Sequence, residues 1–217
     1  MKAVIMAGGL GNRLRPLTCN IPKPMMPIVN KPAIQYTIEL LKNSGIKDIA
    51  ITLQYLADEI MNYFQDGSRF GVNIKYFIED MPLGTGGSVK NAEKFLNDTF
   101  IVISGDALIN LDLRKVVEYH ESKNAQVTIV TKKVNTPLEY GVVITDNEGR
   151  IIKFLEKPGW SEVFSDKVNT GVYVLEPDVL KYYDKNKEFD FSKDLFPLLL
   201  RKNKRIFSYT TNEYRSE

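Results

Sequence analysis

Four prolines constrain how this chain begins. Pro16, Pro22, Pro24 and Pro27 forbid a continuous helix until about residue 31. The run before them, Ala3-Val4-Ile5-Met6-Ala7, reads as a short buried strand, and it empties into Gly8-Gly9-Leu10-Gly11-Asn12-Arg13-Leu14-Arg15. Two familiar phosphate loops are thereby excluded. One needs Gly-x-x-x-x-Gly-Lys-Ser/Thr opening a helix, the other Gly-x-Gly-x-x-Gly running into one. Neither spacing occurs here. What remains is a strand that ends in a glycine-rich loop, whose successive N–H groups form an anion-binding concavity. Arg13, Arg15 and Lys23 add full positive charge, and Arg13 is suited to grip a phosphate with two parallel hydrogen bonds. A surface turn without function would account for the glycines but not for the three cations. The segment reads as a polyphosphate site.

Strands and helices alternate through the first 130 or so residues. Lys2–Ala7, Asp48–Leu53, Val72–Ile78, Phe100–Ser104 and Gln126–Lys132 have strand character, separated by helical patterns over Pro32–Ser44, Ala57–Asp66, Gly87–Asn97 and Leu113–Asn124. A hairpin follows, Val142–Asp146 and Ile151–Glu156 around Asn147-Glu148-Gly149. Val168–Leu175 is a further strand, Ser192–Lys202 a helix and Arg205–Thr210 a last strand. The pattern predicts an α/β fold, Rossmann-like, with a mainly parallel mixed sheet flanked by helices. In such sheets ligands sit beyond the carboxyl ends of the strands.

A chain of 217 residues, 43% of them hydrophobic, suits one domain spanning 1–217. The net charge of +2 offers no clustered basic face for nucleic acid. The single cysteine, Cys19, excludes an internal disulfide, and with only His120 beside it the chain lacks the ligands for zinc. His120 falls in a polar helical stretch and is expected to be solvated. No apolar run approaches the ~18 residues of a membrane span, and no signal peptide precedes the glycines. A cytoplasmic protein without membrane contact is expected.

Several short patterns lie at predicted strand ends. Ser104-Gly105-Asp106 puts a carboxylate where it could share Mg²⁺ with phosphate oxygens. Pro82-Leu83-Gly84-Thr85-Gly86-Gly87-Ser88 lies between a strand and a helix, and its glycines allow a flat ring to lie close to the backbone. Gly141 opens the hairpin, Glu156-Lys157-Pro158 closes it, and Asn169-Thr170 follows in the next strand. Asn169 supplies both a donor and an acceptor.

Gly-Gly-Leu-Gly-Asn-Arg-Leu-Arg-Pro-Leu-Thr followed by Pro-Lys-Pro closely resembles the signature of the sugar-1-phosphate nucleotidyltransferases, the nucleotide-sugar pyrophosphorylases. The resemblance extends over nearly the whole chain and implies the nucleotide-diphospho-sugar transferase type of fold. It implies Mg²⁺-dependent chemistry on an NTP and a sugar 1-phosphate, with Arg13, Lys23, Asp106 and Lys157 as the catalytic residues. Ala7, Gly8, Gly9, Gly11 and Asn12, with Pro82, Gly84, Thr85 and Gly86, would bind the nucleotide. Gly141, Glu156, Lys157, Asn169 and Thr170 would surround the sugar phosphate. Asn12 and Ala107 depart from the commoner family residues without removing an essential group. Glu217 stands about where many relatives carry a second metal-binding aspartate, so the implied metal ligands are Asp106 and Glu217.

Pro-Leu-Gly-Thr-Gly-Gly is most similar to guanylyltransferases acting on mannose 1-phosphate, although the residues alone do not separate guanine from uracil. The alternatives are uridylyl, thymidylyl, adenylyl or cytidylyl transfer to glucose 1-phosphate, or a catalytically weak nucleotide-sugar-binding regulatory domain. The family normally continues past residue 217. The resemblance therefore implies a catalytic domain lacking its C-terminal continuation, within a larger polypeptide or a homo-oligomer.

Overall fold

The computed structural model describes residues 1–159, 165–212 and 215–216, apart from the side chains of residues 13, 215 and 216. Among the described residues, nine strands form one sheet: β1 (Lys2–Met6), β2 (Asp48–Leu53), β3 (Asn73–Ile78), β4 (Phe100–Ser104), β5 (Val127–Lys133), β6 (Gly141–Thr145), β7 (Ile151–Glu156), β8 (Lys167–Leu175) and β9 (Ile206–Thr211). The order along the main path is β7-β6-β8-β4-β1-β2-β3, with β5 pairing both β8 and β9. β1 lies parallel between β4 and β2, and β3 lies parallel beside β2. Their carboxyl ends therefore share one edge. β8 runs the other way. Its first residues meet β6 through Val168↔Val142, and its last meet β4 from Val172↔Ile103 onward. The register shifts between Asn169 and Tyr173, where Gly171 has φ +74°.

Alternation of side chains across each strand divides the core in two. Ala3 and Ile5 face α1 (Ala33–Asn43), α2 (Ala57–Phe64) and α4 (Leu113–Ser122) through Ile34, Ile38, Leu41, Ile60, Phe64 and Val116. Val4 and Val102 face α3 (Gly84–Asn91) and α5 (Phe196–Arg201) through Val89, Phe196 and Leu199. The sheet is flanked by helices on both sides, as the alternating pattern predicts. Among the described residues no helix is long and apolar enough to cross a membrane.

Three local expectations need correcting. The helix expected over 87–97 begins at Gly84 and ends at Asn91, followed by a 3₁₀ turn, Glu93–Phe95. The helix expected over 192–202 is split. A π turn, Phe191–Leu195, is capped by Asp190, whose carboxylate accepts from the N–H groups of Ser192 and Lys193. The α-helix starts afresh at Phe196, because Pro197 has no N–H to continue the ladder. His120 is not solvated but buried, only 1% exposed. Its Nδ1 lies 2.8 Å from Thr128 Oγ1 and its Nε2 3.1 Å from Glu176 Oε1, tying α4 to β5 and to the end of β8.

Burial holds the His120 imidazole below its ordinary pKa, partly offset by Glu176. The neutral ring therefore contributes stability above pH ~6.5, and that contribution is lost as pH falls from there toward the lowered folded value. Urea unfolding at pH 7.5 and 5.5 should show a larger loss of stability for the wild type than for His120→Gln. Equal losses would exclude this role.

Candidate active site

The strand ends build one cleft of about 560 Å³. After β1, Ala7 donates its N–H to Thr52 O at 3.0 Å, and Gly105 donates to Met6 O at 2.9 Å. The neighbouring strands are thus laced together where the loop departs. Asn12–Leu14 forms a single 3₁₀ turn and Lys23–Met25 another; no longer helix forms before α1, as the prolines require. The loop is held from beneath. Thr18, fully buried, donates its hydroxyl to Gly11 O at 2.8 Å, and Tyr55 donates to Cys19 O at 2.8 Å. Gly11 has φ +62°, and a Cβ there would lie 3.0 Å from the Thr18 side chain.

Ala7, Gly8, Gly9, Gly11, Asn12 and Lys23 line the cleft, and so do Pro82, Gly84, Thr85 and Asp106. The sequence thus points to two segments about 70 residues apart that the fold brings into one cleft. Lys23 Nζ lies 2.6 Å from Asp106 Oδ2, each side chain roughly a quarter exposed. Burial pushes the Asp106 carboxyl up, but the Lys23 ammonium and a hydrogen bond from the Ser104 hydroxyl outweigh it and hold the acid below its ordinary range. Asp106 is accordingly an anion, ready to ligate a cation. Among the described residues no three His, Cys, Asp or Glu side chains gather into a metal cage. This donor set fits Mg²⁺, which commonly uses one or two carboxylates and completes its shell with phosphate and water. Arg13 sits in the Asn12–Leu14 turn, but its side chain lies outside the described residues, as does all of Glu217. The backbone of Arg215–Ser216 pairs with Leu108–Ile109, close in sequence to Asp106.

The expected sugar-phosphate residues form a second group at the same sheet edge. Gly141 and Glu156 are register partners across β6 and β7, and a Cβ on Gly141 would lie 2.7 Å from the Phe154 ring and 3.0 Å from Glu156 Oε2. Lys157 is exposed, adopts φ +46° and donates its N–H to Tyr140 O at 3.1 Å. The Asn169 amide donates to the Tyr173 hydroxyl at 2.8 Å, and its carbonyl accepts from Gly171 N at 2.9 Å. Thr170 corrects the expectation: it is 3% exposed and its hydroxyl donates to Val130 O at 2.7 Å. That hydroxyl is committed to the sheet and does not face a ligand. None of these residues lines the 560 Å³ cleft itself.

Ser88, the last residue of the 82–88 pattern, also lines the cleft, as do Gln54, Glu79 and Asp190, which fall in none of the sequence patterns. Gln54 and Glu79 each directly follow a predicted strand, so the strand-end rule could have found them. Glu79 is 6% exposed, and its Oε1 has no hydrogen-bond partner. Burial raises its pKa, opposed by hydrogen bonds from the Ser88 hydroxyl and the Leu83 backbone. Gly86 directly follows Thr85. A Cβ there would lie 2.9 Å from the Phe189 ring, and one on Gly87 would lie 2.7 Å from Lys187 O. These two glycines serve the close approach of the 187–189 segment, which sequence alone could not show.

The nucleotidyl transferase family profile matches residues 2–214. The chain belongs to the nucleotidyl transferase family. It is 45% identical over 214 residues to a UTP–glucose-1-phosphate uridylyltransferase of Synechocystis, covering 92% of this chain and 55% of that protein. It is 36% identical to a mannose-1-phosphate guanylyltransferase of Mycobacterium tuberculosis, covering 98% of this chain and 59% of that one. The solved structure of HddC from Yersinia pseudotuberculosis complexed with GMP-PN superposes with a TM-score of 0.84 at 31% identity, over 100% of this chain and 92% of that one. The chain thus spans between half and two thirds of the length of these two curated relatives.

The two segments respond differently to an added methyl group. Gly87→Ala should lower unfolding free energy by ~1–3 kcal/mol through backbone overpacking. Gly9→Ala, with nothing within 4 Å of the new Cβ, should change it by no more than ~0.5 kcal/mol. Denaturant titrations of both variants test this directly.

Proposed function

We propose that this chain is the catalytic domain of a Mg²⁺-dependent sugar-1-phosphate nucleotidyltransferase, with GTP and mannose 1-phosphate as its substrates. The observation that carries this reading is the Lys23–Asp106 ion pair, 2.6 Å long, in the cleft that the glycine loop and residues 82–85 also line. In the reaction a phosphate oxygen of the sugar 1-phosphate attacks the α-phosphorus of the NTP. The bond to the bridging oxygen breaks, and pyrophosphate leaves with that electron pair. Such a displacement needs positioning and charge neutralisation rather than a covalent enzyme intermediate.

The backbone of Gly8, Gly9 and Gly11 would cradle the triphosphate, with Arg13 at the β,γ-phosphates. Lys23 would transfer its attraction from Asp106 to the α-phosphate, freeing Asp106 to ligate Mg²⁺. The metal, when bound, neutralises the developing pyrophosphate charge. Lys157, with Gly141, Glu156 and Asn169, would position the sugar phosphate.

The 45% identity to a uridylyltransferase supports a second reading, UTP with glucose 1-phosphate. The chemistry of Glu79 favours guanine. Its buried acceptor without a partner suits the adjacent N1–H and N2–H donors of guanine, whereas uracil offers one N–H between two carbonyls.

Pyrophosphate release should be measured for mannose 1-phosphate and glucose 1-phosphate, each crossed with five NTPs in Mg²⁺ or EDTA. We expect Mg²⁺-dependent turnover with GTP and mannose 1-phosphate. UTP with glucose 1-phosphate as the dominant pair would establish the second reading, and nucleotide-sugar binding without turnover would indicate a regulatory domain. Lys23→Met or Asp106→Asn should cost ~10²-fold or more in kcat. Glu79→Gln, presenting one donor and one acceptor, should lower the GTP:UTP preference at least about tenfold.

A further inference from the structure

One segment, residues 187–195, touches both halves of the site. On one side it is clamped to the 83–87 wall. Phe189 N donates to Leu83 O at 2.8 Å, and Gly87 N donates to Phe189 O at 2.9 Å. Thr85 Oγ1 donates to Asp190 Oδ2 at 2.9 Å and accepts from Phe191 N at 2.8 Å. Gly84, Gly86 and Gly87 permit this approach, since a Cβ on any of them would come within 2.7–2.9 Å of the segment or of Leu83. On its other side the segment enters the Phe191–Leu195 π turn and meets the sugar-phosphate group. Ser192 Oγ lies 3.5 Å from the Asn169 amide, and Ser192 with the charges of Asp190 and Lys193 acts on the Glu156 carboxyl. Short π turns inside helical segments frequently mark functional positions.

Asp190 is the joint between the two sides. Its Oδ1 caps the π turn, accepting from Ser192 N at 2.8 Å and Lys193 N at 3.0 Å, and its Oδ2 takes the Thr85 hydroxyl. Although it lines the cleft, both its oxygens are engaged with the protein. It is placed to position other groups rather than to meet a ligand.

We infer that Asp190, through Thr85 and the π turn, couples the nucleotide wall to the sugar-phosphate group, so that each substrate tightens the binding of the other. The inference rests on the functional reading above. A nucleotide that seats on residues 82–85 holds Thr85, which holds Asp190. The turn carrying Ser192 and Lys193 is then held where Glu156 and Asn169 meet the sugar phosphate. The second ligand has less left to order, and by linkage the effect is reciprocal.

The test uses the α,β-methylene analogue of whichever NTP turns over, GTP on the reading above, which blocks attack at the α-phosphorus. Calorimetry in Mg²⁺ gives the Kd of the sugar 1-phosphate with and without saturating analogue, and the reciprocal pair. Wild type should show about tenfold mutual tightening, within the usual range of such couplings. Thr85→Val removes the hydroxyl and leaves the Asp190 cap. Asp190→Ser keeps a capping oxygen but is too short to reach Thr85. Each should reduce the tightening below about twofold, and the double variant should lose no more than either single one.

A purely structural role would lower Tm and weaken each ligand while the ratio stayed near tenfold, and that result overturns the inference. So does independent binding in the wild type, which leaves the functional reading standing. A wild type that neither turns over nor binds either ligand removes both.

Discussion

The parallel pairing of β1 between β4 and β2 is the constraint on which the site depends. Met6 aligns with Ser104 on one side and Thr52 on the other, so three chain segments reach the sheet edge together. The glycine loop, Gln54 and Asp106 are delivered to one place by backbone hydrogen bonds that no side chain at the edge has to supply. The strands themselves are anchored by residues such as Val4, Ile5, Ile51 and Val102, all fully buried. With that foundation rigid, the edge can carry groups that are costly elsewhere: a partly buried ion pair, a left-handed glycine and a buried carboxylate without a full set of partners.

The electrostatics of the cleft follow from the same arrangement. Lys23 and Asp106 neutralise each other beside the glycine loop in a cleft that Glu79 and Asp190 also line. The protein thus keeps the Asp106 carboxylate ionised without leaving a bare charge in a half-buried place. Substrate and metal would exchange partners with the pair rather than create new charges there. Glu79 differs in kind. It is buried at 6% exposure, and burial raises its pKa against the opposing hydrogen bonds from Ser88 and Leu83.

The π turn shows how a local break becomes useful. Pro197 interrupts the helical ladder, Asp190 caps the turn that results, and the capping carboxylate has one oxygen left to reach Thr85. By sequence, the glycines of the 84–87 stretch make room for a ring. In the fold, Gly86 and Gly87 make room for Phe189 and Lys187, while Gly84 both lines the cleft and abuts Phe189.

The sequence determined the strand-to-loop transition, the absence of a helix before α1, and the alternation that produces a sheet with two covered faces. These are local or periodic properties, written in proline positions, glycines and the spacing of apolar residues. It also pointed to Lys23, Asp106 and residues 82–85, which line one cleft, because each directly follows a strand or carries a recognisable run. Only the tertiary structure decided that His120 is buried and that the Thr170 hydroxyl bonds inside the sheet. It alone brought Asp190 across to Thr85, 105 residues away. Those outcomes depend on which long-range neighbour each side chain meets, and the pairing order β8-β4-β1 that sets those neighbours leaves no mark in any single stretch of chain.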